Sequence, residues 1–168
     1  MITAERFIEQ ARTGDYLNIP YNKLDCQGFV EKVLADCGYR YDWRGSNHMW
    51  REALSKKYKI SDIADIPAGA WVFTVKNDGG EVERGYHDNE GNASHVGIYL
   101  GGSDVMHSTK NNKSDGVQMD KITSARWTHY GLAKIIDYSG KPDALELVRK
   151  LGQCTVYDIY QAMRAEWG

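Results

Sequence analysis

The residues of this chain best suited to covalent chemistry are a cysteine that opens a helix and two histidines on neighbouring strands. Cys26 follows Asp25, a good helix N-cap, and Phe29, Val30, Val33, Leu34 and Cys37 then repeat at helical spacing until Gly38 ends the run. Cys26, Val30, Val33 and Cys37 fall on one stripe, so the thiol is expected to face inward. A thiol attacks as thiolate, and a helix N-terminus lowers its pKa. Cys37 sits at the opposite end of that helix, where the dipole disfavours an anion. Cys154 lies between two helical pieces of the tail, with Lys150 the nearest upstream base. Three widely spaced cysteines are no disulfide framework, and no Cys-x-x-Cys pair points to zinc or redox work. Most free cysteines are small buried hydrophobes. What sets Cys26 apart is the supply of histidines.

A nucleophilic cysteine needs an imidazole within hydrogen-bond reach, held in turn by a third polar group. Of the five histidines, His95 begins the strand Ser94-His95-Val96-Gly97-Ile98-Tyr99-Leu100, and His107 lies on the returning strand Val105-Met106-His107-Ser108-Thr109. A two-residue turn at Gly101-Gly102 would put them on opposite faces. A three-residue loop, Gly101 to Ser103, pairs Leu100 with Asp104 and Gly97 with His107, and places both rings on one face. The odd-length loop is therefore expected, with Gly97 leaving room for the rings. His48 and His87 read as surface or loop residues and His129, beside Trp127 and Tyr130, as packing. A zinc site from Cys26, His87, His95 and His107 lacks any compact ligand pair, so no metal or other cofactor is expected.

These residues stand in a recognisable order. Asp25-Cys26-Gln27-Gly28-Phe29-Val30 resembles the Asp-Cys-Ser-Gly motif of the NlpC family of papain-like cysteine peptidases. His95-Val96-Gly97-Ile98-Tyr99-Leu100-Gly101 followed by Val105-Met106-His107-Ser108 is similar to the family's second motif and third catalytic position. Ile66-Pro67-Ala68-Gly69-Ala70-Trp71-Val72-Phe73 resembles the strand that leads up to that histidine. The likeness spans about Tyr21 to Tyr138. It implies a papain-like fold in which Cys26 attacks an amide carbonyl, His95 takes its proton and His107 orients His95. It also implies a peptidoglycan stem peptide as substrate, with Tyr21, Asp25 and Gln27 near it, and a first part of the oxyanion hole in the amides that open the Cys26 helix. Gln27 stands where the family usually has Ser, Ala70 replaces a common Asp, and the Lys76 to Ala93 connection is longer and more charged than usual. Those departures concern substrate choice, not the Cys–His pair.

The elements that position these residues read as α+β. Thr3 to Arg12 is a short helix closed by Gly14, and Asp15 to Leu24 looks extended, with Pro20 holding Ile19 out of the helical region. A helix is expected from Ser46 to about Lys57. Strands follow at Ala70–Val75, His95–Leu100, Asp104–Ser108 and Gly131–Ile136, the first two separated by a polar, Gly-rich loop long enough to suggest a role. The tail returns to helical spacing in two pieces between Pro142 and Trp167. Helices, then an antiparallel sheet, then helices is a segregated order. We therefore expect a peptidase domain over 1–140 and a C-terminal helical extension over 141–168 packed on it. Most of the five tryptophans should be core, while Tyr39, Tyr41 and Trp43 are placed to line a groove.

Composition narrows the partners. The chain has 168 residues, 42% hydrophobic and 26% charged, enough for a normal core. A net charge of -2, with no Lys/Arg run longer than a pair, argues against nucleic acid or an anionic membrane as partner. No stretch of about 18 apolar residues offers a transmembrane helix. Met1 to Arg6 has neither a basic start nor an apolar run, so no signal peptide is expected there; action at a cell wall then calls for a processed secreted domain or delivery by phage. A monomer is expected. Two other functions fit the same residues: a cysteine acyltransferase or amidase on the same scaffold, and a non-catalytic module that binds wall peptides or builds a phage tail.

Overall fold

The computed structural model describes residues 1–76, 86 and 88–140. The expected tail helices, Cys154, Trp167, His87 and most of the long loop lie outside the described residues. After a two-residue strand β1 (Ile2–Thr3), helix α1 (Ala4–Thr13) starts at Thr3, whose side chain accepts from the Arg6 amide. Helix α2 (Cys26–Asp36) starts at Asp25, whose side chain accepts from the Gly28 amide. Both helices begin and end within a residue or two of their sequence signals. The stretch between them is not extended: Lys23 and Leu24 donate to the Pro20 carbonyl, so the chain turns there.

The expected third helix is cut short. Helix α3 covers Ser46–Glu52, and Leu54–Lys59 is strand β2. Lysine is a good helix former, which is why Lys56-Lys57 reads as helix. Pairing with a later strand decides otherwise, and the exposed lysines suit an edge strand that must not recruit another chain. Strand β3 (Trp71–Lys76), β4 (Asn92–Gly101), β5 (Asp104–Asn111), β6 (Ser114–Lys121) and β7 (His129–Ala133) complete a six-stranded antiparallel sheet in the order β2-β7-β3-β4-β5-β6. A short β8 (Ile136–Asp137) pairs in parallel with β1. Strand β6 was not read from the sequence, and the expected 131–136 strand is divided between β7 and β8.

The sheet has an apolar layer on each face. On one side α1 and α2 contribute Phe7, Ala11, Phe29, Val30, Val33 and Leu34 against Trp71, Phe73, Val96 and Ile98. Each fully buried large side chain in that layer is worth roughly 1.5–3 kcal/mol. On the other side Val72, Tyr99, Val105, Trp127 and Tyr130 pack with Ile66 and Ile122. This is the α+β, papain-like arrangement expected, with α2 laid on β4 and β5.

The β4–β5 hairpin departs from expectation in an informative way. Its turn has two residues, Gly102 and Ser103, both at positive φ, with Gly101 paired to Asp104. That turn alone would separate the histidines. Between Tyr99 and Gly101 the register shifts, however, so Leu100 is an extra residue on β4 and Ile98 faces Met106. The bulge restores the parity that the odd loop was invoked to supply.

Strand β6 also holds the segment before Cys26. Asn18 donates to the Val117 carbonyl and Val117 to that of Ile19, while the Tyr21 amide donates to Asp115. Gly116 makes this approach possible: at φ +119°, a Cβ there would lie 2.2 Å from the Ile19 carbonyl oxygen. Gly116→Ala should therefore destabilise the fold by about 1–3 kcal/mol. An unchanged urea midpoint would mean that residues 18–20 are not seated on β6.

Candidate active site

Cys26 is the first residue of α2 and only 6% exposed. Three features fix it. Asp25 caps the helix at 2.7 Å from the Gly28 amide; the buried Ser108 hydroxyl donates to the Leu24 carbonyl; and Tyr21 stands beside the sulfur. Ser108 neighbours His107, so the start of the helix and the second histidine share one strand as support. The backbone amide of Val96, next to His95, faces the sulfur, as do the Gln27 amide and the Tyr21 hydroxyl.

The two histidines meet as the hairpin parity requires. His95 Nε2 and His107 Nδ1 are 3.0 Å apart with the rings at 88° to each other. Trp127, itself buried, stacks under His95 at 5.2 Å and meets His107 edge-on at 5.3 Å. Gly97 is necessary to this packing: a Cβ there would come within 2.9 Å of Trp127 and Val105 and 3.0 Å of the His107 Cβ. The Nδ1 of His95 has no hydrogen-bond partner among the described residues.

Two residues that the sequence reading missed complete the cluster. Asp120 on β6 lies 2.9 Å from His107 Nε2 and also accepts from Gln118 at 2.7 Å. Arg126 donates to Thr109 at 2.7 Å, sits 3.3 Å from His95 Nε2 and places its other terminal nitrogen 3.7 Å from Asp120. A signal for β6 was present: Val117-Gln118-Met119-Asp120 alternates, and Asn111-Asn112-Lys113-Ser114 before it is turn chemistry. With period two, Gln118 opposite His107 puts Asp120 on the same face, one diagonal step away.

Electrostatics correct one expectation. The thiol of Cys26 is not acidified by its helix: burial raises its pKa, the Val96 amide and Tyr21 hydroxyl pull the other way, and the Asp25 charge adds to the rise. Burial likewise pushes His95 down to about 3, helped by the neighbouring His107 ring and the Arg126 charge. His107 is also lowered, chiefly by burial and against the pull of Asp120. Burial raises Asp120, but the hydrogen bonds from His107 and Gln118 outweigh it and leave the carboxyl below its usual range. The resting pair is thus neutral thiol and neutral imidazole. Tyr21 is pushed up to about 12 by burial and its contact with Cys26, so its hydroxyl stays a donor.

The other candidates have structural duties. Asp25 is exposed and spends one carboxylate oxygen on the helix cap. The Gln27 amide donates to Glu31 at 2.8 Å and to the Trp43 carbonyl, and Glu31 accepts from the Trp43 amide at 2.7 Å. Trp43 stacks on the exposed Tyr41 with ring centroids 4.4 Å apart, forming a wall beyond α2. His48 accepts from the Arg44 amide, and His129 packs edge-on to Trp50. Among the described residues no group of three His, Cys, Asp or Glu side chains is arranged to hold a metal, and no helix is long and apolar enough to cross a membrane.

A helix-borne cysteine laid on an antiparallel sheet beside a histidine pair is the arrangement of a papain-like domain. Residues 11–135 match the NlpC/P60 family, and the chain belongs to it. Among solved structures, the peptidoglycan hydrolase RipB of Mycobacterium tuberculosis is similar, with a TM-score of 0.50 and 19% identity over 80% of this chain and 65% of that one. The P60 domain of an antigen of M. avium subspecies paratuberculosis gives 0.53 and 17%, over 80% of this chain and 96% of that domain. The NlpC/p60 domain of the peptidoglycan hydrolase SagA gives 0.52 and 19%, over 78% and 99%. A lipoprotein-like member from Staphylococcus aureus gives 0.52, but the chain spans only 41% of its length. At such identities these likenesses establish the fold. No curated protein matches the chain.

The lowered histidine pKa values fix the sign of a stability change. The unfolded chain takes up protons near the ordinary histidine value of 6.5, whereas folded His95 holds out to about 3. Stability is therefore complete above pH 6.5 and falls as pH drops towards 3, since the unfolded state then binds more protons. The urea midpoint should be lower at pH 5 than at pH 7.5, and His95→Asn should shrink the difference. Equal slopes in the two proteins would mean that His95 is not held neutral by the fold.

Proposed function

We propose that the protein is a cysteine hydrolase that cleaves an amide bond in peptidoglycan stem peptides, with Cys26 as nucleophile, His95 as base and His107 as the residue that orients it. The observation that carries this reading is that the Cys26 sulfur at the α2 N-terminus lies against the backbone amide of Val96, next in the chain to His95, whose ring meets His107 at 3.0 Å. Membership of the NlpC/P60 family and the names of RipB and SagA supply the substrate class.

In this reading the thiol proton passes to His95 Nδ1 as sulfur attacks the carbonyl carbon. Because burial keeps both groups neutral at rest, the transfer accompanies attack and does not precede it. The Gln27 amide and its neighbours at the helix start receive the developing oxyanion. The imidazolium then gives its proton to the leaving amine as the C–N bond breaks, leaving a thioester on Cys26. Water, deprotonated by His95, attacks the thioester, and the thiol is regenerated. Tyr21, a hydroxyl donor beside the sulfur, and the exposed Asp25 face the substrate. Gln27 acts indirectly, by bracing the Tyr41–Trp43 wall.

Purified protein incubated with soluble stem peptides should release new amino termini detectable by mass spectrometry. Cys26→Ala should lower the rate by at least about a thousandfold with little change in melting temperature. Iodoacetamide should label Cys26 and block cleavage. Products carrying an added amine acceptor would reassign the chemistry to acyl transfer, and full biological activity of Cys26→Ala would reassign the protein to binding.

A further inference from the structure

We propose that Asp120 is a positioning residue that sets which nitrogen of each histidine carries the proton, with Arg126 held in place by the same carboxylate. The proposal rests on Cys26 and His95 as the reacting pair and goes beyond it by explaining why His95 is available as a base.

Donors and acceptors alternate along one chain of contacts from Asp120 to His95. The Asp120 carboxylate can only accept, so at 2.9 Å His107 Nε2 must carry a hydrogen. His107 is buried (0% exposed) and its pKa is lowered, so it is neutral and its Nδ1 is bare. That bare nitrogen, 3.0 Å from His95 Nε2, requires a hydrogen there. His95 is neutral as well, so its own Nδ1 is bare, and this is the nitrogen with no partner among the described residues. Asp120 thereby determines the state of an atom two rings away.

Arg126 gives this ordering its purpose. Its guanidinium can only donate, and it lies 3.3 Å from the same His95 Nε2. If that nitrogen accepted from Arg126, the His95 proton would move to Nδ1 and the ring could take nothing from a thiol. Thr109 and Asp120 compete with His95 for the guanidinium: the 3.3 Å contact with the ring is longer than the 2.7 Å bond to Thr109, and Asp120 lies 3.7 Å from the other terminal nitrogen. The charged groups acting on the two rings are thus Asp120 from β6 and Arg126 from the segment before β7; Gln118 is neutral and steadies the carboxylate.

Asp120→Asn tests the idea at constant size. Its amide can donate to His107 Nε2, which sends the His107 proton to Nδ1 and the His95 proton to its own Nδ1. We expect kcat to fall roughly a hundredfold to ten-thousandfold, KM to stay within about twofold and melting to be nearly unchanged, as for the carboxylate of a serine-protease triad. Ring 15N spectra supply a readout independent of activity: both wild-type rings should be protonated at Nε2, and the variant should show Nδ1 protonation. Wild-type His95 protonated at Nδ1 would overturn the proposal, as would Asp120→Asn with wild-type kcat. A wild-type protein that cleaves no stem peptide yet shows both Nε2 protons would remove the hydrolase reading and leave this assignment standing.

Discussion

The contact between His95 and His107 across the β4–β5 hairpin is the constraint on which the rest of the site depends. Two rings 3.0 Å apart at right angles need strands of matched parity, an empty space between them and a rigid floor. The bulge at Leu100 supplies the parity, Gly97 the space and buried Trp127 the floor. None of these has slack. A Cβ at 97 would press on the tryptophan and on His107 together, and losing the bulge would turn one ring to the other face of the sheet.

Cys26, the proposed nucleophile, is tied to that hairpin and not merely placed near it. Ser108, next to His107, receives the chain at Leu24, one residue before the cap of α2. The segment before it is hydrogen-bonded to Val117 on β6, the strand that also carries Asp120. Magnitudes then decide the state of the sulfur. A helix terminus is worth about 0.3–1 kcal/mol, less than the 1.36 kcal/mol of one pKa unit, whereas burial can move a pKa by several units. At 6% exposure burial prevails, and the thiol is held protonated.

The sequence was most legible where local and tertiary preferences agree. Thr3 and Asp25 cap their helices as their types predict, and the apolar faces of α1 and α2 are those that periodicity marks. The body of the hairpin was readable because the two histidine motifs impose its parity. The device that achieves the parity was not: a bulge plus a two-residue turn has the same residue count as an odd loop, and both contain the same glycines. Lys56-Lys57-Tyr58-Lys59 became strand through pairing with β7, a partner 70 or more residues away that no local pattern announces. Strand β6 was missed because Val117 is its one buried apolar side chain, Met119 is 51% exposed and the rest is as polar as a loop, and with it went Asp120.

Gln27 shows how a departure from family pattern can change a residue's work without disturbing the chemistry beside it. A serine at this place, one carbon long, cannot span from α2 to the Trp43 carbonyl. The glutamine amide does, and its second hydrogen goes to Glu31, which in turn accepts from the Trp43 amide. Burial raises the pKa of Glu31, as do the charges of Asp42 and Asp25, while the two donors lower it. A carboxylate so placed is costly without them. The brace and the carboxylate therefore require each other, and together they hold the Tyr41–Trp43 stack, with Trp43 edge-on against buried Trp71 of β3. The Tyr41–Trp43 stack is thus tied to the sheet that carries the histidines, and the side chain of Gln27 stays occupied in holding it.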